Sequence, residues 1–341
     1  MNNRSAGPRS FNTLQRSNRS ARLKRLQEAR ILLLTICALI LVLALTGLVF
    51  LFCQIGHNVS TGGGGGNSGK VKYGSLEVLP WDEGADTNVY RGNLILVNEA
   101  HSYHYPETRI EDMSENEKNA YSLMTYRVMV GNTYPYYVLP NSKNFYMIPE
   151  AAKAMGDLLT YHYNQTEEQL LVRAGYQQES SVTNGNYDQQ IGLSASIDND
   201  MDVSLKSDTC QKLISEGVKF GIIQRFPNGK ASETGASGCT NVFRYVGVPH
   251  AGYITSQGIT LEAYLNLLQS DYTYSKSHLL LNAEGEAVKA KDAVYEVYYV
   301  EATGEGSSSM TVPVPKNYQY TISGDNMKGF IVTVNLSKPI A

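Results

Sequence analysis

Hydrophobic and polar positions divide this chain into three textures. From Ile31 to Cys53 the residues are apolar and carry no charge, over about 23 positions, which is enough to cross a bilayer as a helix. The second texture is mixed. Asn93-Leu94-Ile95-Leu96-Val97-Asn98 is a continuous β-branched apolar run that reads as a short buried strand, as do Leu170–Ala174 (ended by Gly175-Tyr176), Phe220–Ile223 (ended by the turn Pro227-Asn228-Gly229) and Phe243–Val246. Between them, Pro149 followed by Ala151, Ala152, Met155, Leu158, Leu159 and His162 has helical spacing with proline in the first turn. Cys210–Lys219 is helical in pattern, and Leu261, Tyr264, Leu265 and Leu268 share one helix face behind Thr260 as a cap. Beyond Leu279 the third texture is strand-like. Ala293–Val300, Met310–Val314 and Gly329–Val334 alternate or run β-branched between Gly/Ser turns, predicting a small antiparallel module. The fold class is therefore α+β.

Charge changes the picture at the amino end. Arg4, Arg9, Arg16, Arg19, Arg22, Lys24, Arg25 and Arg30 precede the apolar run, and Glu28 alone opposes them. A cleaved leader would have a shorter apolar core of about 7–15 residues ending in small side chains, unlike Val49-Phe50-Leu51-Phe52. The reading is one transmembrane helix at 31–53, a basic cytoplasmic segment at 1–30, and an extracytoplasmic remainder. Gly62–Gly66 with Asn67, Ser68 and Gly69 makes 54–71 a flexible tether. The chain of 341 residues has a formal net charge of −3, so nothing points to a nucleic-acid partner.

Candidate chemistry is sparse. Asp198, Asp200 and Asp202 alternate like a calcium loop, but Val203 stands where that loop needs glycine and Thr209 where it needs glutamate, so the stretch reads as a solvated acidic loop. His162 reads as a helix-surface residue. Cys37 and Cys53 belong with the apolar run, while Cys210 and Cys239 form either a disulfide or two free thiols. A nucleophilic Cys239 would need a neighbouring base that nothing in the sequence specifies. Tyr134-Pro135-Tyr136-Tyr137 is either ordinary packing or a protein-binding face.

Phe243-Arg244-Tyr245-Val246-Gly247, running through Val248-Pro249-His250-Ala251 into the Thr260 helix, resembles the closing segment of zinc D-alanyl-D-alanine carboxypeptidases of the vancomycin-resistance (VanY-like) type. The resemblance spans about Asn93 to the carboxyl end. It implies a carboxypeptidase-like domain at 72–275, of the kind shared by DD-peptidases and hedgehog proteins, followed by the β module at 285–338. In that family a His-x-x-Gly-x-Ala-x-Asp motif and a later Glu-x-x-His supply the zinc ligands and the proton-handling Glu. Aligned on Gly192-Leu193, the ligand positions here hold Gln189, Ser196 and Val242. The Glu position holds Cys239, and the Arg that follows Gly-Tyr in the family is replaced by Gln177. No histidine lies between Tyr163 and Pro249, so no small shift restores the set. His250 falls outside the ligand set and reads as a hydrogen-bonded structural histidine.

The expectation is thus a pseudoenzyme with no catalytic residue and no metal, where the family would use zinc. Its groove of Gln177, Gln189, Ser196, Cys239 and Val242 would hold peptidoglycan stem peptide or an envelope protein at a Gram-positive cell membrane. Two alternatives stay open: an active carboxypeptidase with a non-standard site, and a structural surface module.

Overall fold

In a computed structural model, residues 71–106, 109–139, 145–177, 184–304 and 309–340 are described. The basic segment, the 31–53 run and all of the tether except Val71 lie outside them. Among the described residues no helix is long and apolar enough to cross a membrane.

The strands are β1 (Tyr73–Val78), β2 (Tyr136–Val138), β3 (Leu170–Ala174), β4 (Ser194–Asp198), β5 (Ile222–Gln224), β6 (Val242–Tyr245), β7 (Leu279–Leu281), β8 (Tyr295–Glu301), β9 (Met310–Pro315), β10 (Tyr318–Gly324) and β11 (Gly329–Pro339). The helices are α1 (Glu115–Tyr121), α2 (Pro149–Thr166), α3 (Ser207–Gly217), α4 (Ala231–Thr234), α5 (Val248–Gln257) and α6 (Leu261–Asp271). Among the described residues three sheets result: a five-stranded one ordered β2-β3-β4-β6-β5, a four-stranded one ordered β10-β11-β8-β7, and the pair β1-β9. Apart from the parallel β2-β3 pair, every pairing is antiparallel. The architecture is α+β, as the mixed pattern predicts.

The helix α2 begins where proline fits the first turn and ends at Glu167 in the left-handed conformation. Its apolar stripe, Met155, Leu158 and Leu159, packs with Ala195, Ile197 and Phe243 in the first core. Thr260 caps α6 by accepting from the Ala263 N–H at 3.1 Å, and α5 and α6 cover β7, β8 and β11 in a second core. A third core lies between the β1-β9 pair and the far face of the four-stranded sheet, where Val78, Val312, Val314, Tyr298 and Phe330 meet.

The run 93–98 departs from its expected strand. Leu94 and Leu96 enter the second core while Ile95 and Val97 enter the first, so the segment is a buried seam. Its backbone is satisfied from elsewhere: Leu94 N–H donates to Ser323 Oγ, Leu96 N–H to the Asp325 carbonyl, and Asn326 Nδ2 donates to the Leu96 carbonyl. Two side chains and one distant backbone carbonyl occupy the places that a ladder partner would take.

Two polar expectations are also corrected. His162 is fully buried, not on the surface, with Glu216 2.9 Å from Nδ1 and Glu168 3.4 Å from Nε2. Asp198 is buried at the end of β4, not a solvated loop acid. It accepts from Arg173 Nε, from Asn241 Nδ2 at 3.0 Å and from the Leu205 N–H at 3.3 Å. Tyr136 is buried in the first core, whereas Tyr134 and Tyr137 are exposed.

His250 is the structural histidine that its sequence context suggests. Its Nδ1 faces the Tyr264 hydroxyl at 2.7 Å and Nε2 faces Thr333 Oγ1 at 3.0 Å. Two hydroxyls satisfy a neutral ring, and burial pulls its pKa down to about 3. The unfolded chain therefore takes up this proton first as pH falls. The contribution is intact above the unfolded value near 6.5 and is lost as pH falls toward about 3, at a slope of up to about 1.4 kcal/mol per pH unit. His250→Gln removes this slope, and urea titrations of both proteins between these limits should show the difference narrowing steadily with acidity. Parallel curves would contradict the assignment.

Candidate functional site

The site is built on the sheet face that turns away from α2. Along β4, Ala195 and Ile197 enter the first core, which by strand alternation sends Ser194, Ser196 and Asp198 to the other face. On β6, Val242 pairs with Ser196 and Arg244 with Ser194, so these four side chains share that face. The chain reaches β4 through a 3-10 turn, Tyr187–Ile191, closed by Gly192 at φ 69°. A side chain there would be strained, and its Cβ would lie 3.3 Å from Ile148 N, whose N–H donates to the Gly192 carbonyl at 2.7 Å.

A buried charge cluster anchors this turn from behind. Asp188 accepts from Arg225 Nε at 3.0 Å and from Arg244 Nη1 at 2.8 Å. Glu262 of α6 accepts from both terminal nitrogens of Arg225, at 3.0 and 2.7 Å. Arg244 Nη2 donates to the carbonyls of Asn93 and Ile95, tying the seam to the sheet. Burial alone would pull Arg225 down, but Asp188 and Glu262 outweigh it and hold the guanidinium charged, well above its usual value. Arg244 is pulled below its usual value by burial, against the opposing pull of Asp188.

The five positions singled out by sequence lie together in a chain of contacts. Gln177 donates its backbone N–H to the Gln189 carbonyl at 3.0 Å, and Gln189 Nε2 donates to Ser196 Oγ at 3.0 Å. Ser196 is the cross-strand partner of Val242, whose N–H donates to the Cys239 carbonyl at 3.1 Å. Gln189 and Ser196 are both buried, joined by this one side-chain hydrogen bond. Val242 is buried in a small apolar cluster with Phe226, Ala236 and Cys239.

This donor set does not fit zinc. Gln189, Ser196 and Val242 bring one amide, one hydroxyl and one isopropyl group together, whereas a zinc site is built from imidazole, carboxylate or thiolate. Among the described residues no group of three or more His, Cys, Asp or Glu side chains is arranged to hold a metal ion. Asp198, two residues along β4 from Ser196, is already engaged by Arg173 and Asn241. Cys210 and Cys239 are free thiols, so the disulfide alternative falls away. Burial pushes the Cys239 thiol above its usual range, and its contacts within hydrogen-bond reach are the carbonyls of Ser237 at 3.4 Å and Asn184 at 4.0 Å, neither of which is a base.

What the five positions offer a ligand is uncharged polarity. Beside them, a cavity of about 770 Å³ is lined by Asn241 and Thr240 of the same strand approach, Gln224 of β5, Ser207 and Cys210 at the start of α3, and the carboxylate of Asp198, which is held by Arg173 and Asn241. The buried charge cluster behind the turn escapes a reading of the sequence. Arg225 and Asp188 flank otherwise apolar strands, which is a signal, but their partners are far apart in the chain.

No known protein-family profile matches this chain. It is 24% identical over 266 residues to a D-alanyl-D-alanine carboxypeptidase of Enterococcus faecium, covering 73% of this chain and 77% of that protein. It is also 37% identical over 82 residues to a D-alanyl-D-alanine carboxypeptidase of Enterococcus faecalis, covering 24% of this chain and 31% of that protein. Among solved structures, it is similar to the vancomycin-resistance D,D-dipeptidase VanXYg in complex with a D-Ala-D-Ala phosphinate analogue. The TM-score is 0.57 at 21% identity, over 77% of this chain and 99% of that one. This likeness establishes a shared fold, and the relatives in sequence are D-Ala-D-Ala carboxypeptidases.

Proposed function

We propose that this chain is a peptidase-fold protein that holds the D-Ala-D-Ala end of a peptidoglycan stem peptide, or an envelope partner presenting a similar terminus, without cleaving it. The observation that carries the reading is the Gln189–Ser196 hydrogen bond beside a Val242 packed into an apolar cluster. Positions that would have to point at one metal ion are satisfied by one another instead. In this reading the protein binds no zinc, is tethered by residues 31–53 to a Gram-positive cell membrane, and faces the wall. The ligand lies against the β4-β6 face, where Gln177 and the polar lining beside Asn241 supply neutral hydrogen bonds to a peptide terminus.

The sequence relatives are enzymes, which favours a second reading, an active D-alanyl-D-alanine carboxypeptidase working through a different set of residues. Calorimetric titration of the full-length chain with a pentapeptide stem ending in D-Ala-D-Ala, in the presence of a metal chelator, separates the two. The proposal expects saturable binding indifferent to the chelator, with the peptide recovered intact. Binding that needs added zinc, or recovery of a shortened peptide, would overturn it.

A further inference from the structure

A second cavity, of about 300 Å³, opens where the seam 93–98 and the chain on either side of it cover the end of the five-stranded sheet. None of Gln177, Gln189, Ser196, Cys239 and Val242 lines it. Its floor is apolar, formed by Ile95, Ile148 and Leu193, and its walls are aromatic, with Tyr90, Tyr103 and Tyr105 among them. Two guanidiniums, those of Arg91 and Arg109, line the same space.

The polar inventory of this cavity is unbalanced toward donors. Arg91 donates through Nη2 to the Glu83 carbonyl at 2.9 Å, and among the described residues it forms no ion pair with a carboxylate. It lies close enough to Tyr103 to oppose the effect of burial, which lifts that phenol to about 12. Arg109 lies over the Tyr105 ring, 4.2 Å from its centroid. Gln190 is only 3% exposed, and its side-chain amide nitrogen has no hydrogen-bond partner among the described residues. Among the described residues, Glu111 accepts from the Tyr176 hydroxyl at 2.6 Å and stands 3.9 Å from Arg109, and the Glu83 carboxylate is 2.8 Å from His104 Nδ1, so both acids near the cavity are already matched. An occupant that balances this site brings acceptor oxygens and one negative charge. It also brings an apolar or flat body of roughly a dozen non-hydrogen atoms, the small end of ligand-pocket size.

We propose that this cavity binds a small carboxylate on an apolar body, with Arg91 as the charge partner, Gln190 as a second donor and the tyrosines as walls. The same chemistry has two sources, a free organic acid or the carboxyl end of a short peptide. The site is separate from the β4-β6 face and does not require that face to bind stem peptide.

Trp81 is the single tryptophan of the chain, and its ring lies 6.4 Å from that of Tyr90, edge to face, so its fluorescence reports on this cavity. The test titrates the full-length chain with 3-phenylpropanoate, with its uncharged amide, and with N-acetyl-D-alanyl-D-alanine. The proposal expects saturable binding of 3-phenylpropanoate, at least tenfold weaker binding of the amide, a tenfold loss in Arg91→Gln, and no change in Gln189→Ala. A dipeptide response abolished by Arg91→Gln assigns the peptide terminus as the source, and a dipeptide response absent or sensitive only to Gln189→Ala assigns the free acid. Failure of 3-phenylpropanoate to bind, equal binding of acid and amide, or indifference to Arg91→Gln would overturn the proposal. If Arg91→Gln does not fold, the comparison of acid with amide on the unaltered chain decides between binding through charge and no specific binding.

Discussion

Asp188→Asn is expected to destabilise the fold by about 3–5 kcal/mol, a large part of the roughly 5–15 kcal/mol by which a domain is usually stable. The reason is charge left without a partner. Arg225 and Arg244 are both fully buried and share the two oxygens of Asp188, at 3.0 and 2.8 Å. An amide offers one acceptor and no charge, so Arg244 keeps only the carbonyls of Asn93 and Ile95, and its positive charge stays in the interior beside that of Arg225. Glu262→Gln should cost less, because Arg225 retains Asp188 and the Glu262 side chain, at 11% exposure, is less completely buried than that of Asp188. Urea denaturation of the two variants against the parent chain reads this order directly. A cost under about 1 kcal/mol for Asp188→Asn would mean that the cluster relaxes or admits water. Because Asp188 immediately precedes Gln189, the same substitution should also loosen the candidate site.

The second large effect is a gain. Introducing zinc-ligand types by Gln189→His, Ser196→Asp and Val242→His in one chain is expected to create near-stoichiometric zinc binding. The three positions are already neighbours: Gln189 reaches Ser196 at 3.0 Å, and Ser196 and Val242 are direct cross-strand partners with Cβ atoms about 4.5–5.5 Å apart. Imidazole and carboxylate are ligand types that zinc takes, at about 2.0–2.2 Å. Burying a histidine among Phe226, Ala236 and Cys239 weakens the metal-free protein, so the variant should be less stable than the parent without zinc. With zinc at a hundred times its dissociation constant it should regain about 2.7 kcal/mol. Metal analysis after dialysis, with melting curves in zinc and in chelator, tests both halves. A triple variant that binds no zinc would mean that the three positions are not the remnant of a ligand set.

Much of the fold is legible in the sequence because local signals agree with tertiary placement. The helix α2 announces itself by proline in the first turn and a 3.6-residue stripe, and α6 by Thr260 and its apolar face. Reading fails where a segment is buried on more than one side. The helix α5, Val248–Gln257, goes unread because VPHAGYITSQ has little polar contrast, being packed between the sheets, where Gly252 lies against the Glu284 carbonyl. The seam 93–98 has the composition of a strand, yet its partners are Ser323, Asp325 and Asn326, more than two hundred residues away, and no local period reveals that. The strand β1 is missed for a similar reason, since its pairing with β9 joins opposite ends of the described chain. His162 and Asp198 read as solvated because charged and titratable groups usually are, and their distant partners make the difference. The candidate site is legible only through resemblance, since nothing about Gln189, Ser196 and Val242 taken singly suggests that they meet.

Under the proposed function, the meeting place of these three residues holds no metal and performs no hydrolysis. The most direct test is zinc analysis of the unaltered full-length chain after equilibration with zinc and dialysis, alongside release of D-alanine from a pentapeptide stem. The account predicts zinc at background and no D-alanine above the uncatalysed rate. Tightly held zinc near one per chain, with D-alanine released in repeated turnovers, would contradict it.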